Sequence, residues 1–229
     1  MCAIIGGSFP RLKKEHIDLI KDMFLQSQIR GRHATGISYV DKDVITISKP
    51  IPSCELVLTI SLEKFLEKPF TFVGHCRYST SDLQYNQPIA NKDLSVVHNG
   101  VVTQEPFEMW ESNFSYNNFS TKNDTELIFK SHLAKEQPLK EFPEASMAVC
   151  GLTKKGLFFY RNGKRPLHYG KLENNLIVSS TRDIIKRSDS RYQIFDTIAG
   201  VQYSLDAGRL LEETIITCDK DLQYENSRC

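Results

Sequence analysis

The chain has 229 residues, 40% of them apolar and 25% charged, with a formal net charge of +1. That length buries a full core without disulfide or metal staples, and the near-neutral balance excludes a bulk pull toward nucleic acid or anionic lipid. No run of about 18 apolar residues occurs, so no membrane span is expected, and the N-terminus MCAIIGGSFP lacks the basic and apolar regions of a signal peptide.

Residues 2–7 form a short apolar run ending in Gly-Gly and predict a buried strand. A helix is expected over 14–29, where Ile17, Ile20 and Phe24 share one face. The polar stretch 30–36 reads as a loop. Strands follow at 36–40 and 44–48, joined by Asp41-Lys42-Asp43, and a second helix is expected over 56–66. Residues 70–75 and 94–98 read as apolar strands, each running into a polar cluster. A helix is expected over 124–134, capped by Asn123 or Asp124. Strands at 145–152, 156–161 and 176–180, a short helix opening at 181–183, and strands at 201–205 and 213–218 complete the reading. Strands predominate and no regular βαβ alternation is present, which favours an α+β architecture with antiparallel sheets over a doubly wound parallel sheet. One domain over 2–218 with a polar tail at 219–229 is the simplest organisation.

Six cysteines, at 2, 54, 76, 150, 218 and 229, are irregularly spaced and include no Cys-x-x-Cys pair. They read as reduced thiols of a cytoplasmic protein rather than a disulfide framework or a zinc site. No metal and no cofactor is expected. His75, Cys76 and His98 read as strand-end packing or turn residues in preference to metal ligands.

Four places carry candidate chemistry. Cys2 follows the initiator Met, so loss of Met1 would leave a thiol and a free α-amine on one residue. An α-amine has an ordinary pKa of about 7.7 to 8.0 and exchanges protons near neutral pH without burial. By itself Cys2 reads first as a small apolar residue at the start of a buried strand. Arg77, at the end of an apolar strand, suits bidentate binding of a carboxylate, or simply an exposed position. Asn99-Gly100 has the composition of an oxyanion hole and, equally, of a hairpin turn. Asp124, in Thr121-Lys122-Asn123-Asp124-Thr125-Glu126, offers a carboxylate for an ammonium group, or a helix cap.

The ordered set resembles one family. Cys2-Ala3-Ile4-Ile5-Gly6, Arg30-Gly31 with Thr35-Gly36, Gly74-His75-Cys76-Arg77-Tyr78-Ser79-Thr80, Asn86-Gln87-Pro88, His98-Asn99-Gly100 and Asp124-Thr125-Glu126 are similar to the glutaminase domain of class II glutamine amidotransferases, which are N-terminal nucleophile hydrolases. Arg165-Pro166-Leu167 and Ser179-Ser180-Thr181 resemble the second half of that domain. The likeness covers roughly residues 2 to 215.

The resemblance implies a four-layer αββα sandwich and a glutamine substrate. It implies Cys2 as nucleophile with its own amine as base, and Asn99 with the Gly100 N–H as oxyanion donors. Arg77, with Thr80 nearby, would take the α-carboxylate, and Asp124, helped by the Gly100 backbone, the α-ammonium. Ammonia would pass to a synthase domain, expected here on a separate chain because nothing follows residue 229. A stand-alone γ-glutamyl amide hydrolase and an inactive glutamine-binding subunit are the alternatives. Three positions depart from the family pattern: Ala3 for Gly, Tyr78 for Trp and Gln104 for Asn.

Overall fold

The structure is a computed structural model and describes residues 2–79, 83–206 and 208–216. Two antiparallel sheets lie face to face between two helical layers. The first contains β1 (Ala3–Phe9), β2 (Ala34–Asp41), β3 (Asp43–Lys49) and β4 (Phe70–Arg77). It also holds β9 (His168–Leu172), β10 (Asn175–Ser179) and β11 (Gln193–Asp196), in the order β11-β9-β10-β1-β4-β2-β3. The second contains β5 (Ile89–Ala90), β6 (Leu94–Val101), β7 (Ser146–Thr153), β8 (Gly156–Arg161), β12 (Val201–Asp206) and β13 (Arg209–Thr214), in the order β13-β12-β8-β7-β6-β5.

Three apolar layers follow from the two-residue period of the strands. On β1 and β4, Ala3, Ile5, Phe70, Phe72 and Cys76 face the outer helices α1 (Lys14–Ser27), α2 (Ser53–Thr59) and α6 (Arg182–Ser188). The alternate residues Ile4 and Val73 face inward and meet Val97, Ala148, Cys150 and Phe159 of the second sheet. Val96, Met147 and Tyr160 point the other way, onto α4 (Thr125–Leu133) and α5 (Pro138–Glu141), with Trp110 of the one-turn α3 (Trp110–Asn113). The layers are therefore α, β, β, α, as the motifs implied.

The differences from the sequence reading have local causes. The stretch 30–36 is a loop only to His33, since Ala34 already pairs with Arg77. Gly36 lies inside β2, where a Cβ would run into the Gln87 carbonyl. The helix expected at 56–66 starts earlier and stops at Thr59. Gln28 of α1 accepts the Cys54 N–H at 3.1 Å at its start, and Ile60 is extended at its end. Only a 3-10 turn at Glu63–Phe65 continues the expected span. The last strand is Arg209–Thr214, not 213–218; Cys218, Cys229 and the polar tail lie outside the described residues.

Candidate active site

The β1–β4 register sets Ala3 opposite Cys76 and Ile4 opposite His75. One step further brings half-buried Cys2 beside Arg77. Cys2 continues the inward-facing side of β1 begun by Ile4. Its Sγ lies 3.9 Å from the Tyr78 carbonyl oxygen, and its own carbonyl accepts the Arg30 Nε–H at 3.0 Å. The Ile4 N–H donates to Ser180 Oγ at 2.8 Å, which pins the strand just behind Cys2. Ala3 is fully buried against the helical layer, so its methyl group points away from the face that carries Cys2.

Across the gap, Asn99-Gly100 is no turn. Both residues sit within β6, paired with Ala148 and Met147 of β7. Asn99 shares its side of the strand with inward-facing Val97 and is 4% exposed, and its Nδ2 has no hydrogen-bond partner among the described residues. A buried amide donor left unmatched costs on the order of 1–3 kcal/mol, so this group is poised for an acceptor. Gly100 has φ +152°, and a Cβ there would collide with the Ser146 carbonyl and come within 2.7 Å of His98 Nε2. Only glycine fits.

The neighbouring residue, His98, faces the α4 layer. Its ring contacts Thr125 Oγ1 at 3.4 Å and the Ser146 carbonyl at 3.2 Å. Its backbone is held by one side chain: His98 N–H donates to Gln87 Oε1 at 2.6 Å, and Gln87 Nε2 donates to His98 O at 3.1 Å. Asn86-Gln87-Pro88 thereby acquires a structural meaning. Asn86 also accepts from Arg77 Nη1 at 2.7 Å, and the Tyr85 carbonyl accepts from the same nitrogen at 2.6 Å.

Asp124 accepts the Val102 N–H at 2.6 Å, two residues beyond Gly100. It occupies the N-cap position of α4 without a side-chain cap bond; Asn123 Oδ1 takes the Thr125 N–H instead, at 3.1 Å. Thr80 lies outside the described residues. The β1–β4 register thus sets Cys2 beside Arg77, while Asn99, Gly100 and the Asp124 carboxylate follow one another along the end of β6. Sequence reading assigned no role to Tyr85 or Ser146, which carry no signal of their own, and read Asn123 only as a candidate helix cap.

Burial disables the two thiols that lie wholly inside the fold. Burial pushes the Cys76 thiol up to about 12 and the Cys150 thiol well above its ordinary value, so neither supplies a thiolate near neutral pH. His75 is buried between the sheets with an unpartnered Nε2; burial first, then the Arg77 charge, hold its pKa down at about 3. Burial also lowers the pKa of His98, although Asp124 opposes the shift. His75, Cys76 and His98 face three different layers, which rules out their sharing one ion. Among the described residues no group of three or more His, Cys, Asp or Glu is placed to hold a metal, and no helix is long and apolar enough to cross a membrane. A hollow of about 670 Å³ lies elsewhere, on the outer helices between Asp18, Leu25, Val57 and Glu63.

No family model matches the chain. In sequence it is 26% identical, over 191 residues, to the glutamine–fructose-6-phosphate aminotransferase (isomerizing) of Sulfurisphaera tokodaii, a match covering 78% of this chain and 31% of that protein. In structure it superposes on the glutamine phosphoribosylpyrophosphate amidotransferase of B. subtilis with a TM-score of 0.72 at 19% identity, covering 94% of this chain and 50% of that one. A glutamine aminotransferase class-II domain protein from Silicibacter pomeroyi matches with a TM-score of 0.57 at 13% identity, over 94% of this chain and all (100%) of the other. The chain thus spans about a third of the aminotransferase and half of the amidotransferase. Its fold is that of the amidotransferase structure it superposes on. Sequence and structure both relate it to the class II glutamine amidotransferases, the resemblance its motifs carry.

Proposed function

We propose that the chain hydrolyses the side-chain amide of glutamine, with Cys2 as nucleophile once Met1 is removed. The observation that carries this reading is the unmatched, buried Asn99 amide on the inward face of β6, at the same end of the inter-sheet space as Cys2 and Arg77. Arg77 takes the α-carboxylate and Asp124 the α-ammonium. Thr80, in the segment after Arg77, assists the carboxylate. These contacts fix the γ-amide against the sulfur, and such positioning supplies several kcal/mol of the barrier reduction.

The Cys2 amine accepts the thiol proton, and the sulfur attacks the amide carbon. The carbonyl electron pair moves onto oxygen, where Asn99 Nδ2–H and the Gly100 N–H meet the developing charge. As that pair returns, the C–N bond breaks and the amine passes its proton to the departing ammonia. The resulting γ-glutamyl thioester is hydrolysed by water, releasing glutamate and restoring the thiol.

By analogy with the longer aminotransferase and amidotransferase relatives, the ammonia passes to an acceptor-binding synthase partner. Ammonia release from glutamine, assayed for the purified chain and for Cys2→Ala beside intact-mass measurement of the N-terminus, tests the reading. Equal rates in the two proteins, or retention of Met1 in an active protein, would rule out this mechanism. Affinity capture of the tagged chain tests the partner: co-purification of a synthase subunit is expected, and a strictly monomeric, partnerless glutaminase contradicts it.

A further inference from the structure

The two proposed anchors stand on different sheets. Arg77 ends β4, whereas Asp124 precedes α4, which packs under β6. Neither sheet alone fixes their separation. One backbone carbonyl spans the gap: Tyr85 O accepts Arg77 Nη1 at 2.6 Å and Asn123 Nδ2 at 3.2 Å. A carbonyl oxygen carries two lone pairs and serves two donors without conflict.

Asn123 is held on every side. Its Oδ1 takes the Thr125 N–H at 3.1 Å, and its own N–H donates to Thr121 Oγ1 at 2.9 Å. Behind it stands Glu126, 2% exposed. The Glu126 carboxylate accepts from Ser120 N, Ser120 Oγ and Thr121 N at 2.7 to 3.0 Å. Three donors converge on this one buried carboxylate, so residues 120–126 form a stiff turn. That turn presents a single side-chain N–H to Tyr85 and, one residue later, the Asp124 carboxylate to the site.

We infer that Asn123 is a positioning residue that couples the two anchors and makes the site selective for an amide bearing both an α-carboxylate and an α-ammonium group. This rests on the reading of Arg77 and Asp124 given above. With the bridge in place, the guanidinium and the carboxylate are held at a set spacing before substrate arrives, and glutamine gains both contacts without ordering either. An amide with only one of these groups engages one anchor, and the spacing confers nothing on it.

The test compares glutamine with glutaramate, which lacks the α-amine, and with 4-aminobutanamide, which lacks the α-carboxylate. The proteins are the full chain and its Asn123→Asp and Asn123→Ser variants. Both replacements keep an oxygen to accept the Thr125 N–H and remove the amide donor. For glutamine the expected change is a KM raised about tenfold, equivalent to one lost hydrogen bond, with kcat within about twofold. For the two truncated amides, used as substrates or as competing ligands, the constants should move less than about threefold. Equal losses for all three compounds, or a lower kcat at constant KM, overturn the coupling. Calorimetric titration of the same three compounds into Cys2→Ala, with and without the Asn123 replacements, reads it without turnover. An unmodified chain that never hydrolyses glutamine defeats the glutaminase reading, while the titration still decides whether Asn123 couples recognition of the two α-groups.

Discussion

β4 and β6 are near twins to which the proposed mechanism gives different work. Each enters the inter-sheet space with a valine, Val73 or Val97, and two residues later places a buried polar group there, His75 or Asn99. β4 then ends on a charge, Arg77, tied to the backbone and side chain that follow it. β6 carries on through Gly100 as a paired strand. In the proposed mechanism the difference separates holding from reacting. The Arg77 guanidinium would contact bound substrate and transition state alike, whereas the Asn99 amide N–H would meet a charge that exists only while the carbonyl is being attacked.

The largest effect should come from the residue that faces both strands. Cys2→Ala is expected to lower ammonia release by roughly 10⁴-fold or more; residual activity near the parent level would remove the basis for comparing the strands at all. On β6, Asn99→Ala should reduce kcat by about 100- to 1000-fold with little change in KM, and steady-state kinetics checks it. On β4 the signature should invert. Arg77→Lys loses bidentate geometry and should raise the glutamine KM by about 10- to 100-fold with a smaller change in kcat. A matching pattern for both variants would erase the distinction. Gly100→Ala drives a methyl group into the Ser146 carbonyl and should cost about 2–4 kcal/mol in urea unfolding.

The smallest effect is graded and comes from buried imidazoles. His75 has a pKa of about 3 and His132, held down by burial, of about 4, against an ordinary value near 6.5. A histidine whose folded pKa is depressed leaves the unfolded chain binding more protons in between. Its stabilisation is therefore full above pH 6.5 and is lost as pH falls toward 4 and then 3. The unfolding free energy should fall by about 1.4 kcal/mol per pH unit for each such group. His132→Phe, which gives up the Tyr160 hydroxyl contact at 2.9 Å, should flatten that slope while leaving kinetics at pH 8 unchanged.

Much of the fold was legible in the sequence because it is written in local periodicity. Helix α1 and strands β4, β6, β7 and β8 announce themselves through apolar runs of the right length. What could not be read depends on distant partners. Ile89–Ala90 is only two residues, and His168–Leu172 and Gln193–Asp196 carry too few apolar side chains to signal a strand; they exist because β6, β10 and each other present open edges to them. Asn99-Gly100 has the composition of a turn and is drawn into a strand by Ala148 and Met147, some fifty residues away. The site was legible as an ordered set of motifs, yet not as a geometry. The sequence offered Asn123 or Asp124 as the helix cap without deciding between them; Asn123 takes the Thr125 N–H, and the Asp124 carboxylate reaches back to Val102. Ala3, a departure from the family pattern, proves to face the helical layer, a matter of parity that no residue count reveals without the register.

Gln87 stands at a strand edge. Beyond Ile89–Ala90, β6 has no neighbouring strand on its outer side among the described residues, and an uncovered strand rim is ordinarily a place where other chains join on. Here a lone carboxamide, donating and accepting at once, imitates the missing neighbour for one residue. At that one position the strand's outer N–H and C=O are both taken up, so His98 offers an incoming strand nothing to pair with.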